Sequence, residues 1–196
     1  MKFIGIDLAG KEENPTGICI LNEETLRFET LFYDEEIVDL IKKYQPDLTA
    51  IDAPLSLPLG RCCLEKDCEC AEYGHFRQAE REIRLYGRVL PLTFRGMKML
   101  TFRGIKLRDR LKRDFKIIET HPRTSQKMLG LDLIEDLEKI LTIPGNPSEH
   151  ELDALLAAIT GYLYCKGCYI ELGAPDEGII IIPRDEDCLQ SCFKSF

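Results

Sequence analysis

At 196 residues the chain is long enough to bury a full core as one domain. Its 44% hydrophobic and 31% charged residues exclude disordered and fibrous classes, and no apolar run approaches the roughly 20 residues of a membrane span. A net charge of −8 argues against a surface that binds nucleic acid everywhere. The charge is uneven, however: residues 77–116 carry 13 Lys and Arg against 4 Asp and Glu, and the remainder 13 against 30.

The opening stretch KFIGIDLAG is apolar or Gly from Phe3 to Ile6 and then meets Asp7. This predicts a buried strand that delivers a carboxylate to its C-terminal edge, where ligands sit in open α/β sheets. After a turn-rich loop at 10–16, residues 17–21 and 26–33 predict two more strands. Their tight connections make them antiparallel neighbours. Ile37, Leu40, Ile41 and Tyr44 at helical spacing predict a helix over 34–44 with Asp34 as N-cap. LTAID at 48–52 is a fourth strand, stopped by Pro54. Residues 54–74 are irregular, and 77–86 predict a helix ended by Gly87. A further helix falls within 91–113, weakened by Gly96 and Gly104. FKIIE at 115–119 predicts a fifth strand, ended by Thr120-His121-Pro122. Short helices are expected over 123–129 and 133–141. Ser148 with Glu151 three residues on is a capping-box pattern, opening a helix to about Cys165. GIIIIP at 178–183 reads as a last strand or an extended segment, and the tail from 184 carries no pattern.

Four acids stand at the ends of these elements: Asp7, Asp52, Glu119 and Asp153. Mg²⁺ and Mn²⁺ are hard ions that prefer carboxylates and water. Two of them about 3.5–4 Å apart can serve phosphodiester hydrolysis. Asp7 on the central strand would bridge, Asp52 and Glu119 would flank it, and Glu149 would be an alternate to Asp153. Each acid also has an ordinary reading: a turn cap for Asp52, an ion pair with Arg123 for Glu119, and the helix macrodipole for Asp153. His121 is a candidate to move a proton or touch a phosphate, or else a structural hydrogen-bonder. His150 reads as a surface helix residue.

Arg81, Arg84 and Arg88 recur along one helical stripe, and Arg103, Lys106 and Arg110 along the next. With Arg123 they are candidates for substrate binding. Segment 77–116 is then a contact surface for DNA or RNA, reading phosphates by shape because stacking aromatics are few. The alternative is a pair of solvated helix faces. Nine cysteines in an odd set do not suit a secreted disulfide framework. Cys62, Cys63, Cys68, Cys70 and His75 supply enough ligands for a structural zinc. The spacing is not a pair of C-x₂-C knuckles, so disulfides and free thiols stay open, and iron–sulfur ligation suits it less. Cys165 and Cys168 are a redox pair, extra ligands, or neither.

GIDLAG at 5–10, AIDAPLSLP at 50–58, IIETHP at 117–122, ELDALLAAITGYLY at 151–164 and EGIIIIP at 177–183 are similar to family four-two-nine of the domains of unknown function. The element order resembles the RNase H-like fold: α/β, with a mixed five-stranded sheet in the order 3-2-1-4-5 flanked by helices. Length and organisation predict one domain over 1–196, with an insertion at about 54–113 made of a Cys-rich loop (61–75) and basic helices (77–113). The resemblance implies ligand roles for Asp7, Asp52, Glu119 and Asp153 in a predicted divalent-metal-dependent nuclease. Rival expectations are a nucleotide-binding or phosphotransfer protein of the actin-like ATPase class and a noncatalytic nucleic-acid-binding module. The glycine-poor loop at 9–17 weighs against the former. Without a leader pattern or a membrane span, the expected location is the cytoplasm.

Overall fold

The structure, a computed structural model, describes residues 1–192 other than 133 and 140. β1 (Lys2–Asp7), β2 (Thr16–Asn22) and β3 (Leu26–Leu31) form an antiparallel meander. α1 (Asp34–Tyr44) leads to β4 (Leu48–Asp52), which lies parallel to β1. α2 (Gln78–Ile83) and α3 (Arg95–Leu111) precede β5 (Ile117–Thr120). α4 (Pro122–Met128), α5 (Glu149–Cys165), β6 (Tyr169–Ala174), β7 (Gly178–Pro183) and α6 (Asp187–Cys192) follow. The mixed sheet has seven strands in the order β3-β2-β1-β4-β5-β7-β6.

The expected order 3-2-1-4-5 is present, but the expected count of five is corrected to seven. β7 extends the sheet parallel to β5, and β6 closes the edge antiparallel to β7. The signal for β6 was a turn, Pro175-Asp176-Glu177-Gly178, in which the Glu177 N–H donates to Ala174 O (3.0 Å). The helix expected over 133–141 is a 3₁₀ segment at Ile134–Lys139, and positions 133 and 140 lie outside the described residues. Asp34 is not the N-cap of α1; Tyr33 is, with Glu36 accepting from its N–H (3.0 Å). The expected Cys165–Cys168 relation resolves to neither a redox pair nor shared ligation. Cys168 is disulfide-bonded to Cys188, and Cys165 is free. No described helix is long and apolar enough to cross a membrane.

Period-2 alternation splits the sheet between two cores. Phe3, Cys19, Leu21, Ala50, Ile118 and Ile181 pack against α5. Ile4, Ile6, Ile18, Ile20 and Ile51 face α1 and α3. A smaller core joins Ala79 and Ile83 of α2 to Leu172, Ile180 and Ile182 of the β6–β7 hairpin. α5 sits unusually close to the sheet. A Cβ on Gly5 would lie 1.9 Å from Ala154 O, and one on Gly17 2.1 Å from His150 O. Two bare Cα positions in β1 and β2 therefore let the backbone of α5 rest on the strands. The start of α5 is fixed by the expected capping box: Ser148 N–H donates to Glu151 Oε2 (2.8 Å) and Ser148 Oγ accepts from Glu151 N–H (3.3 Å).

Candidate metal centre

Asp7 and Asp52 end neighbouring parallel strands and are direct register partners, so their side chains share the face on which α5 lies. α5 brings Asp153 and His150 to the same edge. The His150 Nδ1 and Asp7 Oδ2 atoms are 2.7 Å apart. Arg123, in the first turn of α4, lies 3.2 Å from Asp153 Oδ2. The other oxygen, Asp153 Oδ1, is buried without any hydrogen-bond partner. Sequence reasoning placed His150 on an indifferent surface. The usable signal was its position three residues before Asp153, which puts both on one helical face. Among the described residues no three of these acid oxygens lie mutually within 4.8 Å, so the acids are gathered but not yet closed around a point.

The electrostatics follow from crowding. Burial pushes the Asp52 carboxyl well above its usual range, and the like charges of Asp7, Asp153 and Glu119 add to this against Arg123 alone. Burial also raises Asp7, opposed by His150 and Arg123. Asp153 is pushed up to about 6, by burial first and then by Asp7 and Glu149, with Arg123 and His150 opposing. One orphaned acceptor, Asp153 Oδ1, and three raised carboxyl pKa values are what a cation would relieve, so the donor set fits a hard divalent ion.

Asp153 has a folded pKa above its unfolded value of about 3.9. Its contribution to stability is present below that value and is lost as pH rises through about 6. In chelator, wild type and Asp153→Asn should therefore be matched near pH 4. The variant should gain about 2 kcal/mol on wild type by pH 7, measured by urea denaturation.

Glu119 goes elsewhere. Its register partner is Ile51, not Asp52, which puts its side chain on the opposite face of the sheet. There its Oε2 accepts from Leu55 N–H (2.8 Å) and Arg77 Nη1 (2.8 Å), while Arg77 Nη2 pairs with its other oxygen. Burial raises Glu119, with the Arg77 guanidinium as the main opposing influence. Glu119, expected as a metal ligand beside Asp7 and Asp52, is instead held in a buried ion pair, not with the Arg123 of its ordinary reading but with Arg77. That residue stands outside the solvated stripe to which its sequence neighbours belong.

A cleft of ≈ 240 Å³ opens beside Asp52, lined also by Glu80, Arg88, Glu119, Thr120 and His121. His121 does not continue β5. It caps α4, its Nδ1 accepting from Thr124 N–H (3.3 Å) and lying 3.0 Å from Thr124 Oγ1, and burial lowers its pKa.

The basic segment divides. Arg81, Arg84 and Arg88 are exposed, with Arg84 5.2 Å from the centre of the Phe76 ring and Arg81 3.7 Å from Glu177. Arg103 is corrected: it is buried, pairs with Asp34 (2.8 Å) and donates to the Ala9, Lys11 and Phe32 carbonyls. It holds the loop after β1 and is not available to a polyanion. Lys106 is exposed but lies 3.2 Å from Asp34, and Arg110 pairs with Glu35. Cys62, Cys63, Cys68 and Cys70 gather into one cluster, whereas His75 is exposed and turns to Thr93 (3.0 Å).

No family model matches the chain, and no curated protein matches it. The likeness to family four-two-nine therefore rests on the motifs quoted above. Among solved structures, one of RuvC from T. thermophilus in complex with a Holliday junction substrate is similar. It has 14% sequence identity and a TM-score of 0.49, over 91% of this chain and 99% of that one.

Proposed function

We propose that this chain is a divalent-metal-dependent nuclease hydrolysing phosphodiester bonds in DNA or RNA, built as one RNase H-like domain with an insertion between β4 and β5. The observation that carries the reading is the crowding of Asp7, Asp52 and Asp153 around too little positive charge, with Asp153 Oδ1 buried and unpartnered. These three carboxylates would hold Mg²⁺ or Mn²⁺. Bound there, the ion supplies Lewis-acid activation of water and stabilisation of the leaving oxygen. The remaining work falls to the chain. His150 orients the Asp7 carboxylate through their 2.7 Å contact. Arg123, largely exposed beside Asp153, is positioned to contact a phosphate. His121, lining the cleft with Asp52, accepts from Thr124 N–H through Nδ1, so Nε2 carries the ring proton and can donate it to a phosphate oxygen. Arg81, Arg84 and Arg88 would position the polynucleotide backbone. Glu119 and Arg103 have structural duties in this reading.

The test is a cleavage screen with Mg²⁺, Mn²⁺ and Ca²⁺ over duplex, junction and single-stranded DNA and RNA, run beside Asp7→Asn. Wild type should cut with Mn²⁺ or Mg²⁺ and little with Ca²⁺. Asp7→Asn should lose more than the roughly 100-fold that removing a supporting hydrogen bond costs at a metal site. If wild type and Asp7→Asn are equally inert on every substrate, the nuclease reading gives way to the binding module.

A further inference from the structure

The loop between β4 and α2 has almost no core of its own. Among residues 61–76 the side chains of Leu64 and Cys70 are its buried apolar content. Its neck is closed by one carboxylate: Glu177 accepts from Leu59 N–H (2.8 Å) and from Gln78 N–H (2.5 Å). Inside the loop four thiols converge. Cys62 and Cys68 Sγ are 3.7 Å apart, Cys63 and Cys70 3.7 Å, and Cys68 and Cys70 3.3 Å, and all four sulfurs lie within 4.8 Å of one another. A zinc ion with Zn–S bonds of about 2.3 Å sets its tetrahedral sulfurs about 3.8 Å apart. An iron–sulfur cluster spreads its thiolates over several irons and separates them further. Cys168 and Cys188 are bonded to each other in this chain, whereas these four are not.

The charge agrees. Arg61 is buried, and its guanidinium meets only carbonyls: Cys63 O (2.9 Å), Glu65 O (3.0 Å), Ala71 O (3.2 Å) and Gly74 O (2.7 Å). A buried cation calls for a counter-charge. A zinc ion with four thiolates carries a net double negative charge and would stand beside it.

We propose that Cys62, Cys63, Cys68 and Cys70 bind a single structural Zn²⁺, with His75 not a ligand. The ion staples the loop that runs from the end of β4 to Arg77.

The test is metal analysis of the full-length protein purified without added metal. About one zinc per chain is expected, kept in His75→Ala and lost in Cys68→Ser and Cys70→Ser. Co²⁺ exchanged into wild type should show the visible bands of a four-thiolate tetrahedral site. Three outcomes overturn the proposal: no zinc with four freely reactive thiols, no zinc with thiols that react only after reduction, or iron in place of zinc. Loss of zinc in His75→Ala overturns the four-cysteine ligand set. Should the cysteine variants fail to fold, wild-type metal content and His75→Ala still decide. The readout is bound zinc, not cleavage, so it stands or falls apart from the nuclease reading.

Discussion

Arg77→Met is expected to destabilise the protein by about 3–5 kcal/mol, because it leaves two buried carboxylates without their shared cation. Arg77 is fully buried, and its guanidinium is the hub of the insertion. Nε donates to both oxygens of Glu80 (3.0 and 3.1 Å), and Nη1 donates to Ser56 Oγ (2.6 Å) and Glu119 Oε2 (2.8 Å). Nη2 pairs with Glu80 and Glu119 at once. Burial disfavours the charge on Arg77, but the Glu119 and Glu80 carboxylates outweigh this and hold it ionised. One cation thus ties α2 to the end of β4 and to β5. Methionine keeps much of the volume and removes the charge. Burial already raises the Glu119 carboxyl and Arg77 is what opposes this, so without Arg77 the loss should be larger at pH 8 than at pH 5. Chemical denaturation at the two pH values measures it. Arg81→Ala, whose side chain is 57% exposed, should cost no more than about 0.5 kcal/mol. Equal losses at the two positions would contradict the buried-hub account.

This network shows where the sequence stops being legible. The short apolar run ending in Asp7, the LTAID strand and the Ser148 capping box are local signals, and each marks its element correctly. The face that Glu119 takes is not local. LTAID and FKIIE both end in an acid, but the register between them pairs Ile51 with Glu119 and turns the two acids apart. No property of either strand alone states that offset. The buried arginines are similar. Arg103 looks like a member of an exposed stripe because its carboxylate, Asp34, lies 69 positions away; Arg77 has Glu80 three residues on, but the second carboxylate that buries it, Glu119, lies 42 positions away. His150 differs, since its helical spacing from Asp153 was visible and only its value was missed. The four cysteines were visible too, but their spacing could not separate zinc from disulfides, because sulfur–sulfur distance is a property of the folded loop.

Gly5→Ala is expected to cost about 3 kcal/mol or more and to take the metal centre with it. The added Cβ would sit 1.9 Å from Ala154 O and 2.4 Å from Ala158 N, both backbone atoms of α5. A flexible side chain can swing aside, but a helix backbone cannot. α5 must lift off the sheet over a core that includes Phe3, Leu155, Ile159 and Tyr162, and interiors packed this closely absorb little strain. The same displacement carries Asp153 and His150 away from Asp7 and Asp52. Gly10→Ala is the matched control, because its Cβ would meet Gly96 O at 3.5 Å, an ordinary contact. Thermal unfolding of the two variants should therefore diverge, with Gly10→Ala near wild type. Mn²⁺ should raise the melting temperature of wild type and Gly10→Ala but not of folded Gly5→Ala. A Gly5→Ala protein that unfolds like wild type and still responds to Mn²⁺ would mean that α5 does not rest on β1 as described, and that the acids need no such seat to meet.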